Sequence, residues 1–135
     1  MTAQFWLAFL AYVVPTFALG YFWHLKVFAK DYEALAIYRP DIIIPMGLSS
    51  MLIQGLFFAW VYPLLFSTAT ASWPYSALQF FAIFGALAFS FLVLPVAAKH
   101  RMTNTMKFIQ LETAFTAIQF ASAGILIALV YRGAA

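Results

Sequence analysis

Four continuous apolar runs separated by short polar segments set the pattern of this chain. The first covers about Gln4 to Leu25 and stops at Lys26, and the second covers about Ile42 to Phe66 after R-P-D. The third covers about Ser76 to Ala98 before K-H-R, and the fourth about Phe108 to Tyr131 before Arg132. Each reaches the roughly 20 apolar residues that a helix needs to cross a bilayer. Membrane strands alternate apolar and polar residues over about 10 positions, and these runs do not alternate. The predicted fold is all-α, an integral membrane four-helix bundle forming a single transmembrane domain over residues 1–135. The first run has no basic segment before it and exceeds a usual signal core, so it reads as a retained helix and not a cleaved signal.

Between the first two runs the pattern changes. Phe28, Tyr32, Leu35 and Tyr38 recur at helical spacing, while Lys30, Asp31, Glu33 and Arg39 fall largely on other faces. This predicts a short interfacial helix lying in the membrane plane, ended by Pro40 because the residue before proline avoids helical angles. A partner-docking surface is the functional alternative for the same stretch.

Composition sharpens the class. The chain is 66% hydrophobic and 8% charged, against about 45–50% and roughly 25% for a soluble domain. The net charge of +3 is no footprint for nucleic acid, because the basic residues are few and flank apolar runs. Their placement bears on orientation. Lys26, Lys30 and Arg39 follow the first span and Lys99, Arg101 and Lys107 the third, so six of the seven basic residues share one side. Short basic loops stay in the cytoplasm, which predicts loops 26–41 and 99–107 cytoplasmic and both termini outside. S-T-A-T-A-S-W-P-Y-S is then an outer turn. Trp6, Trp60, Tyr62, Trp73 and Tyr75 are expected as outer interface anchors, and Tyr21 and Trp23 as cytoplasmic ones.

An ionisable group within a span costs about 2.5–3.5 kcal/mol on insertion scales and calls for a partner. Glu112 is the only acidic residue inside a predicted span, and Thr116 and Gln119 share its helix face. The second span carries Gly47, Ser50 and Gln54 on one face beside Gly55, and small residues permit close helix approach. The second and fourth spans are expected to touch, with Gln54 and Gln119 near one another at mid-depth. His24 ends a stripe of Thr16, Gly20 and His24 on the first span, at about the depth Glu112 reaches, and a His24–Glu112 pair would satisfy both groups. His24, Gln54, Glu112, Thr116 and Gln119 are thus the candidate polar pocket. Packing between helices is the competing account of the same residues. Pro15, near the middle of the first span, is the best candidate for a kink.

Other chemistry finds little support. With no cysteine there is no disulfide, thiolate metal site or cysteine nucleophile. The histidines lie at helix boundaries, without the spacing of a haem or metal site, and His100 between Lys99 and Arg101 reads as solvated. Asp31, Glu33 and Asp41 read as weak solvated partners of Lys30 and Arg39. No nucleophile elbow or phosphate-binding glycine loop is present. No catalytic residue, cofactor or metal is assigned.

The run F-A-L-G-Y-F-W-H-L-K-V-F-A-K-D-Y resembles a motif of small four-span bacterial membrane families of unknown function, with Gly20, Trp23, Phe28 and Tyr32 at the matching positions. The resemblance implies a bacterial inner membrane location and no activity.

Three functions are then weighed. The first is a non-catalytic accessory or structural subunit of a larger membrane complex, in contact with lipids and with other subunits or its own copies. The alternative is a small oligomeric carrier or lipophilic-ligand binder using the Glu112, His24, Gln54 and Gln119 pocket. An enzyme acting on a lipid, with Glu112 and His24 as acid and base, ranks last.

Overall fold

The computed structural model describes residues 2–66 and 72–132. Half of the expected outer turn, residues 67–71, lies outside the described residues. Helix α1 (Ala3–Phe22) runs on through a wide π turn at Trp23–Val27, and the short α2 (Ala29–Leu35) follows. Then come α3 (Ile44–Leu65), α4 (Trp73–Ala88), a second π turn at Phe89–Val93, α5 (Leu94–Lys99) and α6 (Thr105–Tyr131). Four continuous helical stretches, 3–27, 44–65, 73–99 and 105–131, are long and apolar enough to cross a membrane. The protein is an all-α, multi-pass membrane bundle.

Capping chemistry sets several helix ends. Thr2 Oγ1 accepts the Phe5 amide at 3.3 Å and opens α1. Asn104 accepts the Lys107 amide at 3.0 Å, which starts α6 three residues before Phe108 and places Lys107 in its first turn. Pro45 and Pro74 occupy first turns, where a missing N–H costs nothing. Helix α1 is continuous through Pro15, the expected kink site. The irregularity falls at the two π turns instead. Pro95 has no N–H, and its ring crowds the carbonyl four residues back, at Phe91. The wide turn over Phe89–Val93 accommodates it, with the Leu94 amide bonded to the Phe89 carbonyl.

Each span turns large apolar side chains outward, as lipid requires: Ile53 is 68% and Phe91 71% exposed. Inside, α1 packs between α3 and α6, and α4 packs along α6. Two glycines set these approaches. A Cβ on Gly124 would lie 2.8 Å from the Ala77 carbonyl oxygen, and one on Gly55 2.7 Å from Val13 Cγ2. Gly55 therefore brings α3 against α1, not α6. The expected contact of second and fourth spans is replaced at mid-depth by α1 lying between them. It survives nearer the chain termini, where Tyr131 Oη donates to the Ala59 carbonyl at 2.8 Å.

The buried side chains form two clusters. One holds Tyr12, Phe58, Tyr62, Phe80, Phe120 and Ile127. The other, at the charged-loop end, holds Tyr32, Leu35, Val93, Phe108 and Leu111, with Trp23 and Phe28 against it. One expected interface anchor is thus interior, Tyr62 at 1% exposed, and a second, Trp23, is half-buried against the second cluster. Trp6, Trp60 and Tyr75 face outward.

Helix α2 buries Tyr32 and Leu35 against the bundle. It ends at Leu35, before Pro40, where Ala36 turns left-handed at φ 56°. The loop before α6 ties down that end: Thr103 donates its amide to the Leu35 carbonyl at 3.2 Å and its hydroxyl to the Ala34 carbonyl at 2.6 Å. Asp31 pairs with Lys107 at 3.2 Å, across to α6, where a local partner was expected. Arg39 does take its local partner, Asp41, at 2.9 Å.

Candidate functional site

The π turn at the end of α1 places His24 toward α6. Its Nδ1 lies 3.0 Å from the Gly20 carbonyl, one helical turn back along the stripe. Its Nε2 lies 3.2 Å from Glu112 Oε1. The two side chains are each 18% exposed. The same Glu112 oxygen accepts the Tyr32 hydroxyl at 2.5 Å, and the Tyr32 oxygen accepts the Trp23 indole N–H at 3.2 Å. Each bond in such a chain polarises the next. Burial, then the bond to Glu112, push the Tyr32 hydroxyl well above the ordinary phenol range, so Tyr32 stays a donor. On the loop beyond, the Arg39 guanidinium holds the Asp41 carboxyl below its usual range.

The aromatic surround is dense. The His24 ring lies 4.5 Å from Phe115 and 4.8 Å from Tyr32, and Tyr32 stacks on Tyr38 at 5.0 Å. Two cavities share His24 and Tyr38 as a wall. One, of about 360 Å³, is a mainly apolar groove between α1 and α3, running from Phe17, Leu48 and Met51 to His24, Tyr38 and Arg39. The other, of about 270 Å³, is lined by His24, Tyr38, Val96, His100, Phe108 and Glu112. A Cβ on Gly47 would touch nothing within 4 Å, so this glycine leaves the groove open.

The five candidate residues divide into three places. His24 and Glu112 meet. Gln54 and Gln119 belong to a separate cluster centred on Tyr12, whose hydroxyl donates to Gln54 Oε1 at 2.5 Å and accepts Gln119 Nε2 at 3.0 Å. The amides are joined through α1 and not to each other. Gln54 also donates to Ser50 Oγ at 3.1 Å. Thr116 is buried in the seam between α4 and α6, beside Gly85 and Phe89. The expected single polar pocket is therefore corrected to two networks, one at each end of the stripe Tyr12, Thr16, Gly20 and His24.

Tyr32, Tyr12 and Tyr38 were read from sequence as apolar positions or not singled out. A buried tyrosine needs a partner for its hydroxyl. Tyrosine in place of phenylalanine on these faces was the available signal. Among the described residues no three His, Asp or Glu side chains converge on a point that could hold a metal ion. Comparison of the chain with family models, with curated proteins and with solved structures finds no match.

Proposed function

We propose that this protein binds a lipophilic molecule in the groove between α1 and α3, with the apolar part along Phe17, Leu48 and Met51 and the polar end at His24 and Tyr38. The observation that carries this reading is the groove itself. It is apolar along its length, has polar groups at one end only, and falls within the roughly 300–1,000 Å³ range of small-molecule sites. Gly47 permits a direct test, because a Cβ there meets open space on the groove wall, and a leucine is expected to extend into the groove. Gently solubilised wild-type protein is expected to retain a lipophilic compound at unit stoichiometry by mass spectrometry, and Gly47→Leu to lose it. Retention of bulk lipid alone by both would sink the reading.

A second reading, an accessory subunit of a larger membrane assembly, is supported by the short segments outside the spans and by exposed aromatic side chains on three of the spans, Trp6, Trp60 and Phe91 among them. The same solubilised sample tests it. Stoichiometric co-migration with other subunits supports it, and migration alone or as a homo-oligomer removes it. For either reading the proposed location is a bacterial inner membrane, as the resemblance of the first helix and its loop implies, with the basic loops cytoplasmic, an orientation that the charge asymmetry of the loops supports.

A further inference from the structure

We propose that the His24–Glu112 pair is a binding site for one exchangeable proton, and that this proton sets the affinity of the α1–α3 groove for an anionic amphiphile. The second half rests on the groove reading above. The first half stands on hydrogen-bond geometry alone.

The Gly20 carbonyl only accepts, so the hydrogen in its contact with His24 sits on Nδ1. In a neutral imidazole, Nε2 is then a bare lone pair. That lone pair lies 3.2 Å from Glu112 Oε1, an acceptor when the carboxylate is ionised. Two facing acceptors repel. A single proton between them makes the contact a hydrogen bond, as imidazolium with carboxylate or as imidazole with carboxylic acid. Either form of the pair is neutral overall, and loss of the proton leaves one negative charge. Tyr32 does not supply this proton in the folded state, because its hydroxyl hydrogen already points at the same oxygen.

The proton has a path. The cavity of about 270 Å³ runs from His24 and Glu112 to His100, which is exposed beside the basic loop. The ionisable groups around the pair are few. Tyr32 comes from α2, Tyr38 and Arg39 from the loop after it, Tyr21 from α1 and His100 from beyond α5. The sides of the cavities formed by α3, the second π turn and α5 contribute only apolar groups, among them Leu48, Met51, Leu92 and Val96.

Charge then chooses the ligand. The polar end of the groove presents His24, Tyr38 and Arg39, and the Asp41 carboxylate bonded to Arg39 offsets its charge, so the charge that changes with pH at this end is that of the His24–Glu112 pair. An anionic head group is accepted by the protonated pair and repelled by the deprotonated one. By linkage the proton and the ligand strengthen each other's binding equally. Affinity for an anionic amphiphile therefore rises as pH falls, by up to about tenfold per pH unit where binding takes up one proton.

The test uses the full chain in phosphatidylcholine nanodiscs, with ¹⁵N-labelled histidine and hexadecanesulfonate as a probe that stays anionic at every pH. His100→Gln assigns the two rings. In the wild type, His24 is expected to keep the hydrogen on Nδ1 at every pH, and the Nε2 signal alone to change as the pair loses its proton. Probe affinity is expected to follow that loss, and Glu112→Gln to reduce its pH dependence to under twofold per unit. Gly47→Leu is expected to abolish probe binding and leave the His24 signals in place. A neutral ring with the hydrogen on Nε2 would overturn the proton site. Probe binding with the same affinity at every pH would overturn the coupling. No probe binding beside normal His24 behaviour would overturn the groove reading and the coupling while supporting the proton site.

Discussion

At the residue scale, the outcome of a substitution here depends on whether the lost or added atoms meet backbone, side chain or open space. Gly124 and Gly47 make the contrast. An added Cβ at Gly124 would meet the Ala77 carbonyl oxygen at 2.8 Å, and at Gly47 it would meet nothing. Gly124→Ala is expected to destabilise by about 1–3 kcal/mol, as overpacking does, and Gly47→Ala to be close to neutral. Thermal unfolding of the two variants in one detergent checks this. Tyr32→Phe removes one of the two donors to Glu112 Oε1 and is expected to cost about 1–3 kcal/mol. The same variant tests a pH effect. Tyr32 is held neutral in the folded state, while in the unfolded chain a phenol ionises at about pH 10. Its share of stability is therefore complete below about pH 10 and falls as pH rises above it. Tyr32→Phe is expected to flatten the alkaline loss of stability, and an equal loss in both proteins would contradict this. The pairing of His24 with Glu112 was legible in sequence because both are costly at one depth. Tyr32 was not, because a tyrosine on an apolar stripe looks the same whether its hydroxyl faces water or a carboxylate.

At the element scale, α2 shows how little local pattern says about orientation. Its apolar face was plain from Phe28, Tyr32 and Leu35, but lipid and protein interior are equally apolar, so the pattern could not choose between them. The choice is made by partners distant in sequence, Thr103 above all. Thr103→Val removes the hydroxyl bond to Ala34 and is expected to weaken the docking of α2 by about 0.5–1.5 kcal/mol. Faster amide exchange within 29–35, with the spans unchanged, is the expected signature. The π turns were equally hidden. Pro15 was the proline expected to bend its helix and does not interrupt it, Pro95 explains one π turn only once the helix is seen, and nothing comparable marks the turn that carries His24.

At the scale of the whole molecule, the bundle itself was the most legible feature, since run length and apolarity suffice for it. The order of helix packing was not, because the short polar stripes on the first, second and fourth spans say that these helices meet something but not which helix lies between the others. Orientation is a prediction of charge, and the absence of cysteine makes it simple to test. A single cysteine at Lys30 is expected to be shielded from impermeant maleimide in intact cells, and one at Arg132 to be labelled. The opposite pattern would reverse the topology. One further consequence comes from the position of α1 between α3 and α6. Helices α1 and α3 pair within the first half of the chain, α4 and α6 pair within the second, and α1 joins the halves. The molecule is thus two helical hairpins sharing one seam, and a ribosome can finish the first before the second exists. Residues 1–66 and 72–135 made as separate chains in one cell are expected to find each other in the bilayer and co-purify as an intact bundle.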